Sequence, residues 1–219
     1  MKLSEIFTQN TFVELPSDKL VYSRDASEFE GICTGVVWPT SKDHIVNMIK
    51  FALKENPHFT IRGAGTNKVG ACVPSKSLVI DMSRMNHIIE WGYDYVIVES
   101  GVILNDLLKA TKKHNLIFPI NLLESNACTI GGLIAMNAQG LNSYYGRMED
   151  YVLELEIIDG QGNKIKTTNI KDFAGMEGTT GLIWTAKLKL LSTPIQKSIS
   201  IFKFNTIKSL IDKAVILDK

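Results

Sequence analysis

The sequence has few cysteines, no long apolar run and no excess of charge of either sign, and each shortage excludes a class of protein. The three cysteines, Cys33, Cys72 and Cys128, are far apart and form no C-x-x-C pair, so we expect buried thiols in a reducing cytoplasm. A net charge of +1 over 219 residues gives no reason to expect nucleic acid or an anionic membrane as a partner. No stretch approaches the roughly 20 apolar residues of a membrane helix, and no cleavage-type signal region opens the sequence. We therefore expect a cytoplasmic protein without a transmembrane segment, either free or peripheral through a partner.

Side chains that commonly carry catalysis or bind metals are also scarce. The histidines are scattered, and none forms a pair with the spacing of metal ligands. We therefore expect no metal site. No side chain stands out as a general base, so the catalytic residues stay unassigned. The four histidines are His44, His58, His87 and His114.

The most informative feature is a glycine-rich loop that follows the end of an expected strand at residues 59–61. Arg62 stands beside Gly63, Gly65 and, further on, Gly70. Glycine permits a positive φ and a close approach of a ligand to the backbone, and successive amides in such a turn form a concave anion site. Arg62 adds a charge that suits a phosphate. The loop therefore predicts a phosphate site, and a plain glycine-rich turn between strands is the alternative.

This loop differs from the usual dinucleotide fingerprint. In G-x-G-x-x-G the third glycine opens a helix, whereas here its position is Lys68 and Gly70 comes two residues later. Pro74 and the strand-like residues 78–80 follow, so we expect a strand, a phosphate loop and another strand. That order argues against a nicotinamide-type Rossmann unit.

Two further glycine-rich segments lie later in the chain. Gly131 and Gly132 open a short apolar helix predicted at residues 133–138, with Thr129 as its cap, and a helix start packed on another helix would use the same small residues. The segment 175–183 precedes a strand predicted at residues 184–191. Three such turns separated by long ordered stretches indicate one extended ligand, as an adenine dinucleotide would be.

The apolar periodicity predicts an α+β fold. An amphipathic helix at residues 41–55, capped by Ser41, lies between two strands and makes a βαβ unit, so the first sheet is expected to be parallel. Its core face would carry Ile45, Met48, Ile49, Ala52 and Leu53. Residues 151–158 and 163–166 flank a turn and predict a hairpin, so the second sheet is expected to be mainly antiparallel. The tail is predicted to form a strand at residues 198–204 and a helix at residues 206–218.

These motifs together resemble the FAD-binding domain of the FAD-linked oxidases of the vanillyl-alcohol oxidase and p-cresol methylhydroxylase (PCMH) type. Within it, the D-lactate dehydrogenase and glycolate oxidase subunit proteins are the most similar group. The likeness covers roughly residues 20–195, and its pieces follow the order of the family. They are the segments 36–41, 62–67, 79–85, 99–102, 129–132, 137–138, 145–146 and 177–179.

The resemblance implies a PCMH-type fold in which FAD lies between two α/β subdomains, one with a small parallel sheet and one with a larger, mainly antiparallel sheet. It implies an FAD-binding domain over residues 1–195, with subdomains at about 20–82 and 83–195. Covalent members carry a histidine where this chain has Thr66, so the resemblance implies non-covalent FAD. The cofactor-binding residues it indicates are Pro39, Arg62, Gly63, Ala64, Gly65, Thr66, Asn67, Gly70, Ala71, Ser125, Thr129, Gly131, Gly132, Ala135, Asn137, Gly146, Glu177, Gly178, Gly181 and Ile183.

The resemblance also implies an oxidoreductase that acts on a small 2-hydroxy acid such as D-lactate or glycolate. Family enzymes continue into a cap domain that supplies most catalytic side chains, and residues 196–219 correspond to the start of such a cap or to a tail. Arg147 is the one candidate for a cationic substrate clamp. A separate cap-domain or electron-transfer subunit is therefore an expected partner. Two alternatives stay open: an enzyme like UDP-N-acetylenolpyruvoylglucosamine reductase, and a non-catalytic flavin-binding subunit.

Overall fold

The structure is a computed structural model that describes residues 11–14, 16–55, 58–196 and 198–217. It contains two main sheets and a two-stranded ribbon. The predicted α+β fold, with a small sheet of parallel strands and a larger antiparallel sheet, is confirmed.

The first sheet has the strand order β1-β2-β4-β3. Strands β2 and β3 both pair with β4 in parallel, and β1 is antiparallel to β2. The βαβ unit therefore has parallel strands as predicted, but β4 lies between β2 and β3. All five residues of β4 are buried, as expected for a parallel strand covered on both faces. The strands are β1 (Phe12–Val13), β2 (Cys33–Val37), β3 (Phe59–Arg62) and β4 (Ser77–Asp81).

Two helices accompany the first sheet, α1 (Pro16–Tyr22) and α2 (Lys42–Glu55). The predicted cap of α2 is confirmed, because the Oγ of Ser41 accepts a hydrogen bond from the backbone N–H of His44 at 3.2 Å. Ile45, Met48 and Ile49 are buried as predicted, whereas Leu53 is 63% exposed. The core prediction for Leu53 was wrong, because in the last turn of α2 its side chain points to solvent. The side chain of Ala52 lies outside the part of the chain that the structure describes.

The second sheet has the order β5-β6-β10-β8-β9, and every pair in it is antiparallel. The predicted hairpin is formed by β8 and β9. Strand β10 begins two residues before the prediction and ends at Lys189 rather than at residue 191. The strands are β5 (Ile88–Trp91), β6 (Tyr95–Glu99), β8 (Val152–Ile158), β9 (Lys164–Thr167) and β10 (Leu182–Lys189), and the ribbon pairs β7 (Leu116–Ile117) with β11 (Leu191–Ser192).

Helices α3 (Leu104–Lys113) and α4 (Ile130–Ala135) follow the second sheet's β6. Helix α4 begins three residues before its prediction and also ends three residues early. It begins early because Thr129 is its N-cap, so Ile130 is the first helical residue and the two glycines lie inside the helix. It ends before Asn137, whose φ of 45° is incompatible with a continuing right-handed helix.

The tail differs from its prediction in one element. Residues 198–204 form no strand, because they have no neighbouring strand to pair with in the described ranges. Helix α5 (Ile207–Leu217) is present where a helix was predicted at residues 206–218. Its apolar side chains, among them Ile207, Leu210 and Ile211, are exposed.

Candidate cofactor site

A cleft of about 310 Å³ runs between the loop after β3 and helix α4. A narrow recess of about 60 Å³ continues it beneath Gly63 and reaches the turn before β10. The fold thus brings together the three glycine-rich segments singled out in the sequence. Of the predicted cofactor residues, those that line the cleft or recess are Arg62, Gly63, Ala64, Gly65, Thr66, Asn67, Ala71, Thr129, Gly131, Gly132, Ala135, Glu177, Gly178, Gly181 and Ile183.

The loop at residues 63–72 has the backbone shape of an anion-binding turn. Gly65 and Gly70 have φ values of 71° and 84°, which glycine adopts without strain. The Oδ1 of Asn67 accepts hydrogen bonds from the N–H groups of Val69 at 2.8 Å and Ala71 at 2.9 Å and so closes the loop on itself. The N–H groups of residues 64–67 donate to no acceptor among the described residues. Four consecutive donors therefore remain available for a bound anion.

Arg62 lies under this loop. Its side chain is buried, and its Nη1 donates to the carbonyl oxygen of Arg24 at 2.7 Å. A Cβ on Gly65 would lie 2.1 Å from the guanidinium, so glycine is needed there to let the loop close over Arg62. The guanidinium carbon also lies 5.2 Å from the centre of the Tyr22 ring. Arg62 thus supplies positive charge from behind the loop, and its predicted direct contact with a phosphate stays a prediction.

The support of Arg62 continues into a buried network at the end of β4. The hydroxyl of Tyr22 donates to Asp81 Oδ2 at 2.5 Å, and Trp38 Nε1 donates to the same oxygen at 3.1 Å. Burial, followed by the hydrogen bond to Asp81, raises the pKa of Tyr22 far above its usual value, so the phenol stays protonated. Pro39 is buried next to Trp38 and does not line the cleft.

Helix α4 forms the opposite wall, and close glycine contacts fix its position. Thr129 caps it as predicted, with its Oγ1 accepting from the N–H of Gly132 at 3.3 Å. A Cβ on Gly63 would lie only 2.2 Å from that same Oγ1, and a Cβ on Gly131 would lie 2.7 Å from the Cβ of Ser100. Gly63 therefore lets the two walls approach this closely, and Gly131 lets α4 pack directly on the residue that follows β6.

Ser100 gives a test of whether a polar ligand fits the recess. It is 3% exposed and lines the recess, and its hydroxyl has no hydrogen-bond partner in the part of the chain that the structure describes. A buried polar group without a partner costs free energy, so a ligand atom that hydrogen-bonds there would be favoured. This hydroxyl, the glycine walls and the free amides of the loop fit a dinucleotide such as FAD.

Two polar contacts cross the mouth of the cleft. Lys68 Nζ lies 2.6 Å from Glu124 Oε1, and the side-chain nitrogen of Asn67 lies 2.9 Å from the sulfur of Met136. The hydrogen bond from Lys68 and its charge hold the pKa of Glu124 below the usual range of a glutamate. The cleft mouth therefore carries an ion pair made by two of its own wall residues.

Two of the cysteines also line the cleft. Burial raises the pKa of Cys72 and of Cys128 to about 11, so both thiols are protonated at neutral pH. They are buried, as the sequence predicted, and a protonated thiol is a poor nucleophile. The cleft-lining cysteines therefore act as wall residues.

Four predicted cofactor residues besides Pro39 lie outside the lining of the cleft and recess. Gly70 packs against the Phe29 ring behind the loop, and Ser125 lines a separate surface groove. Asn137 accepts a hydrogen bond from the N–H of Glu149 at 3.1 Å. Gly146 packs against Asp150. Arg147, the candidate substrate clamp, is likewise absent from the lining.

Sequence reasoning missed several residues of the cleft wall because nothing in a linear pattern connects them. Lys68 and Glu124 are 56 positions apart and meet only through the fold. Ser100 follows β6 directly, and its position at the end of a buried strand was the one available signal. The wall residues that were not predicted as cofactor ligands include Ile61, Lys68, Cys72, Met82, Ser100, Leu122, Glu124, Cys128, Leu133 and Met136.

The described ranges hold neither a cluster of metal ligands nor a helix that could cross a membrane. No group of three or more His, Cys, Asp or Glu side chains is arranged to hold a metal ion there. None of the helices described combines the length and the apolar character that crossing a bilayer requires.

Known proteins share this arrangement. Residues 33–168 match a family described as the FAD binding domain. The glycolate oxidase subunit GlcD of Bacillus subtilis (strain 168) is 30% identical over 212 residues, which cover 90% of this chain and 45% of that protein. A D-lactate dehydrogenase of Archaeoglobus fulgidus is 32% identical over 206 residues, which cover 86% of this chain and 45% of that protein. The chain spans less than half the length of these relatives.

The fold is shared with a solved structure. An alkyldihydroxyacetonephosphate synthase superimposes with a TM-score of 0.80 at 21% identity, covering 89% of this chain and 40% of that chain. This likeness confirms the predicted PCMH-type fold, and the family match together with the relatives confirms the predicted FAD cofactor. The match over residues 33–168 extends over more than half of the sequence. The chain therefore belongs to the FAD binding domain family.

Proposed function

We propose that this chain is the FAD-binding part of an oxidoreductase that acts on a small 2-hydroxy acid such as D-lactate or glycolate. Support comes from the names of the relatives, which include a glycolate oxidase subunit, D-lactate dehydrogenases and D-2-hydroxyglutarate dehydrogenases. The single observation that carries the proposal is the row of four unpaired N–H groups at residues 64–67, above the buried Arg62 and facing a cleft between two sheets.

In this proposal the cofactor and the protein have separate roles. Bound FAD supplies the capacity to accept a hydride, and the protein supplies binding, orientation and electrostatics. The loop amides hold the pyrophosphate, Arg62 supports them from below, and the close contact of Gly63 with Thr129 brings the two walls against the cofactor. Thr66 stands where covalent members carry histidine, so the flavin is held without a covalent bond.

Turnover requires an unpaired cation, which the described wall of this cleft does not offer. A 2-hydroxy acid needs a cation for its carboxylate and a base within hydrogen-bond reach of its hydroxyl. Among the described residues that line the cleft and recess, the cations are Arg62 and Lys68, and both already have partners. We propose that a cap domain or partner subunit supplies the missing groups, and the exposed apolar face of α5 supports a further contact of this kind. A cytoplasmic location is part of the same proposal.

The test is to reconstitute the 219-residue chain with FAD and to mix it anaerobically with D-lactate, glycolate and D-2-hydroxyglutarate. We expect a yellow protein that releases its flavin in acid, that dithionite reduces, and that the hydroxy acids reduce very slowly or not at all. Rapid bleaching by a hydroxy acid would show that the catalytic groups lie within the chain. Flavin that stays with the denatured polypeptide would contradict the non-covalent claim.

A second candidate is a flavin-binding subunit without catalysis of its own. The observation in its favour is that both cations of the described cleft wall, Arg62 and Lys68, already have partners. The same experiment separates the two candidates when a cap-domain chain is added. Turnover in the mixture supports the enzyme, and flavin that is reduced only by other redox proteins supports the carrier.

A further inference from the structure

The ion pair at the mouth of the cleft joins two segments that are distant in sequence. Lys68 belongs to the loop after β3, and Glu124 belongs to the segment before α4. Lys68 Nζ and Glu124 Oε1 are 2.6 Å apart, and both residues line the cleft. Neither residue is among the cofactor-binding residues that the resemblance indicates.

The charges around the cleft are unfavourable for an anionic ligand. Of the described residues that line the main cleft, Lys68 is the one cation, whereas Glu124 and Glu177 are both acidic. Arg62 lies in the recess, and its guanidinium is bound to a backbone carbonyl. A pyrophosphate on the loop would therefore compete with Glu124 for the same ammonium group.

Lys68 is free to change partner. Its side chain is 69% exposed and that of Glu124 is 39% exposed, and ion pairs this open to water are weak. A lysine ammonium is a compact charge on a flexible stem with three donors, so it can turn from one acceptor to another at little cost.

The loop keeps its shape without this ion pair. Asn67 closes the loop through its two hydrogen bonds to Val69 and Ala71 and reaches across the cleft to Met136. Arg62 supports the loop from below. Removing Glu124 therefore frees Lys68 without releasing the loop.

We propose that Glu124 is an affinity-setting residue that competes with the cofactor's pyrophosphate for Lys68. This proposal rests on the proposed FAD site. On binding, Lys68 leaves Glu124 and pairs with the pyrophosphate. The loss of the ion pair therefore offsets part of the favourable binding free energy. Glu124 thereby lowers the affinity for FAD, and it does so most strongly at low ionic strength, where charges are least screened.

The test measures the Kd of FAD by flavin fluorescence, and the Kd of ADP and FMN by calorimetry, for the wild type, E124Q, K68M and the double variant. At low ionic strength we expect E124Q to tighten FAD binding by about twofold to fivefold, the range that an exposed ion pair spans. K68M should weaken it by roughly tenfold, the loss of one charge-assisted hydrogen bond. In the K68M background, E124Q should have a much smaller effect. ADP should follow FAD in all four proteins, whereas FMN, which has no pyrophosphate, should respond less.

The matched control is E154Q, which removes the carboxylate of another surface ion pair, Glu154 with Lys166 at 2.9 Å, away from the cleft. It should leave every Kd unchanged. Added salt should bring the Kd values of E124Q and wild type for FAD closer together, because ions screen exposed charges. If wild type binds FAD and E124Q binds it equally or more weakly, the competition is refuted and the FAD site stands. If wild type binds none of the three ligands, the FAD site itself is refuted and the competition with it.

Discussion

The two sheets differ in the origin of their apolar cores. The second sheet packs its own residues, such as Val98, Leu155 and Leu188, against α3 and α4. The first sheet packs α2 against a core completed by Ile158, Leu182 and Trp184, which all belong to the second sheet. The first sheet therefore depends on residues of the second sheet for part of its core, whereas the core of the second sheet contains no residue of the first sheet. A loss of packing at the shared core should loosen the first sheet before the second.

The same boundary has two chemically different halves. One half is the shared apolar core, which holds the sheets together. The other half is made by glycines in close contact with the opposite wall, Gly63 against Thr129 and Gly101 against the carbonyl oxygen of Met82. The cleft opens on the glycine half, where there are few side chains to fill the space. Along one interface, the apolar half thus holds the two sheets together, and the glycine half forms the cleft.

The largest expected effect comes from filling the glycine half. In Gly63→Val the new Cβ would lie 2.2 Å from Thr129 Oγ1, so either the loop or the cap of α4 must move. We expect FAD binding to be lost, because the displaced loop can no longer hold its N–H groups against the pyrophosphate. Flavin fluorescence titration of the folded variant measures this.

The control for this variant is Gly160→Ala in the turn between β8 and β9. A Cβ at Gly160 meets nothing within 4 Å, so the affinity for FAD should stay at the wild-type value. Circular dichroism shows whether the Gly63 variant folds. A folded Gly63→Val protein with wild-type affinity would contradict the role of this contact in the cofactor site.

The next largest effect tests the shared apolar core. Trp184→Ala removes a 6% exposed ring and should lower the free energy of unfolding by about 3–5 kcal/mol, the usual cost of a large cavity. Its distinctive result is in hydrogen exchange, where amides of β2, β3 and β4 should lose protection before those of β6 and β8. Leu155→Ala, in the separate core of the second sheet, should show the opposite order. The same order in both variants would contradict a shared core.

Much of the fold was predictable because local rules decided it. The continuous apolar run of β4, the Ser41 cap of α2 and the turn of the β8–β9 hairpin each specify their element within a few residues. The placement of β4 between β2 and β3 was not predictable, because strand order depends on contacts between segments far apart. The strand predicted at residues 198–204 failed for a related reason, since a strand forms only beside a partner.

The site was predictable where backbone conformation creates it. Gly65 and the pair at Gly131 and Gly132 mark places that exclude a side chain, and such exclusions are visible in sequence. The direction of a long side chain is not. The guanidinium of Arg62 lies beneath Gly65, where the carbonyl oxygen of Arg24 and the ring of Tyr22 are its partners, and no local pattern indicates that direction.

The smallest expected effect concerns two ion pairs that join α2 to the second sheet, Lys42 with Glu156 at 2.5 Å and Asp43 with Lys164 at 2.9 Å. Burial tends to raise the pKa of Glu156, but its hydrogen bond to Lys42 and the lysine charge bring that pKa below the ordinary 4.5. A pKa that is lower in the folded than in the unfolded state stabilises the fold above the unfolded value, and this stabilisation is lost as the pH falls through the folded value. Glu156→Gln should therefore cost less than about 1 kcal/mol at pH 7, because the pair is partly exposed, and its melting temperature should meet that of wild type as the pH drops below 4.5. Asp43→Asn removes the more exposed pair and should cost less still. If the melting temperature of Glu156→Gln stays below that of wild type at low pH, the ion pair is not what joins α2 to the second sheet there.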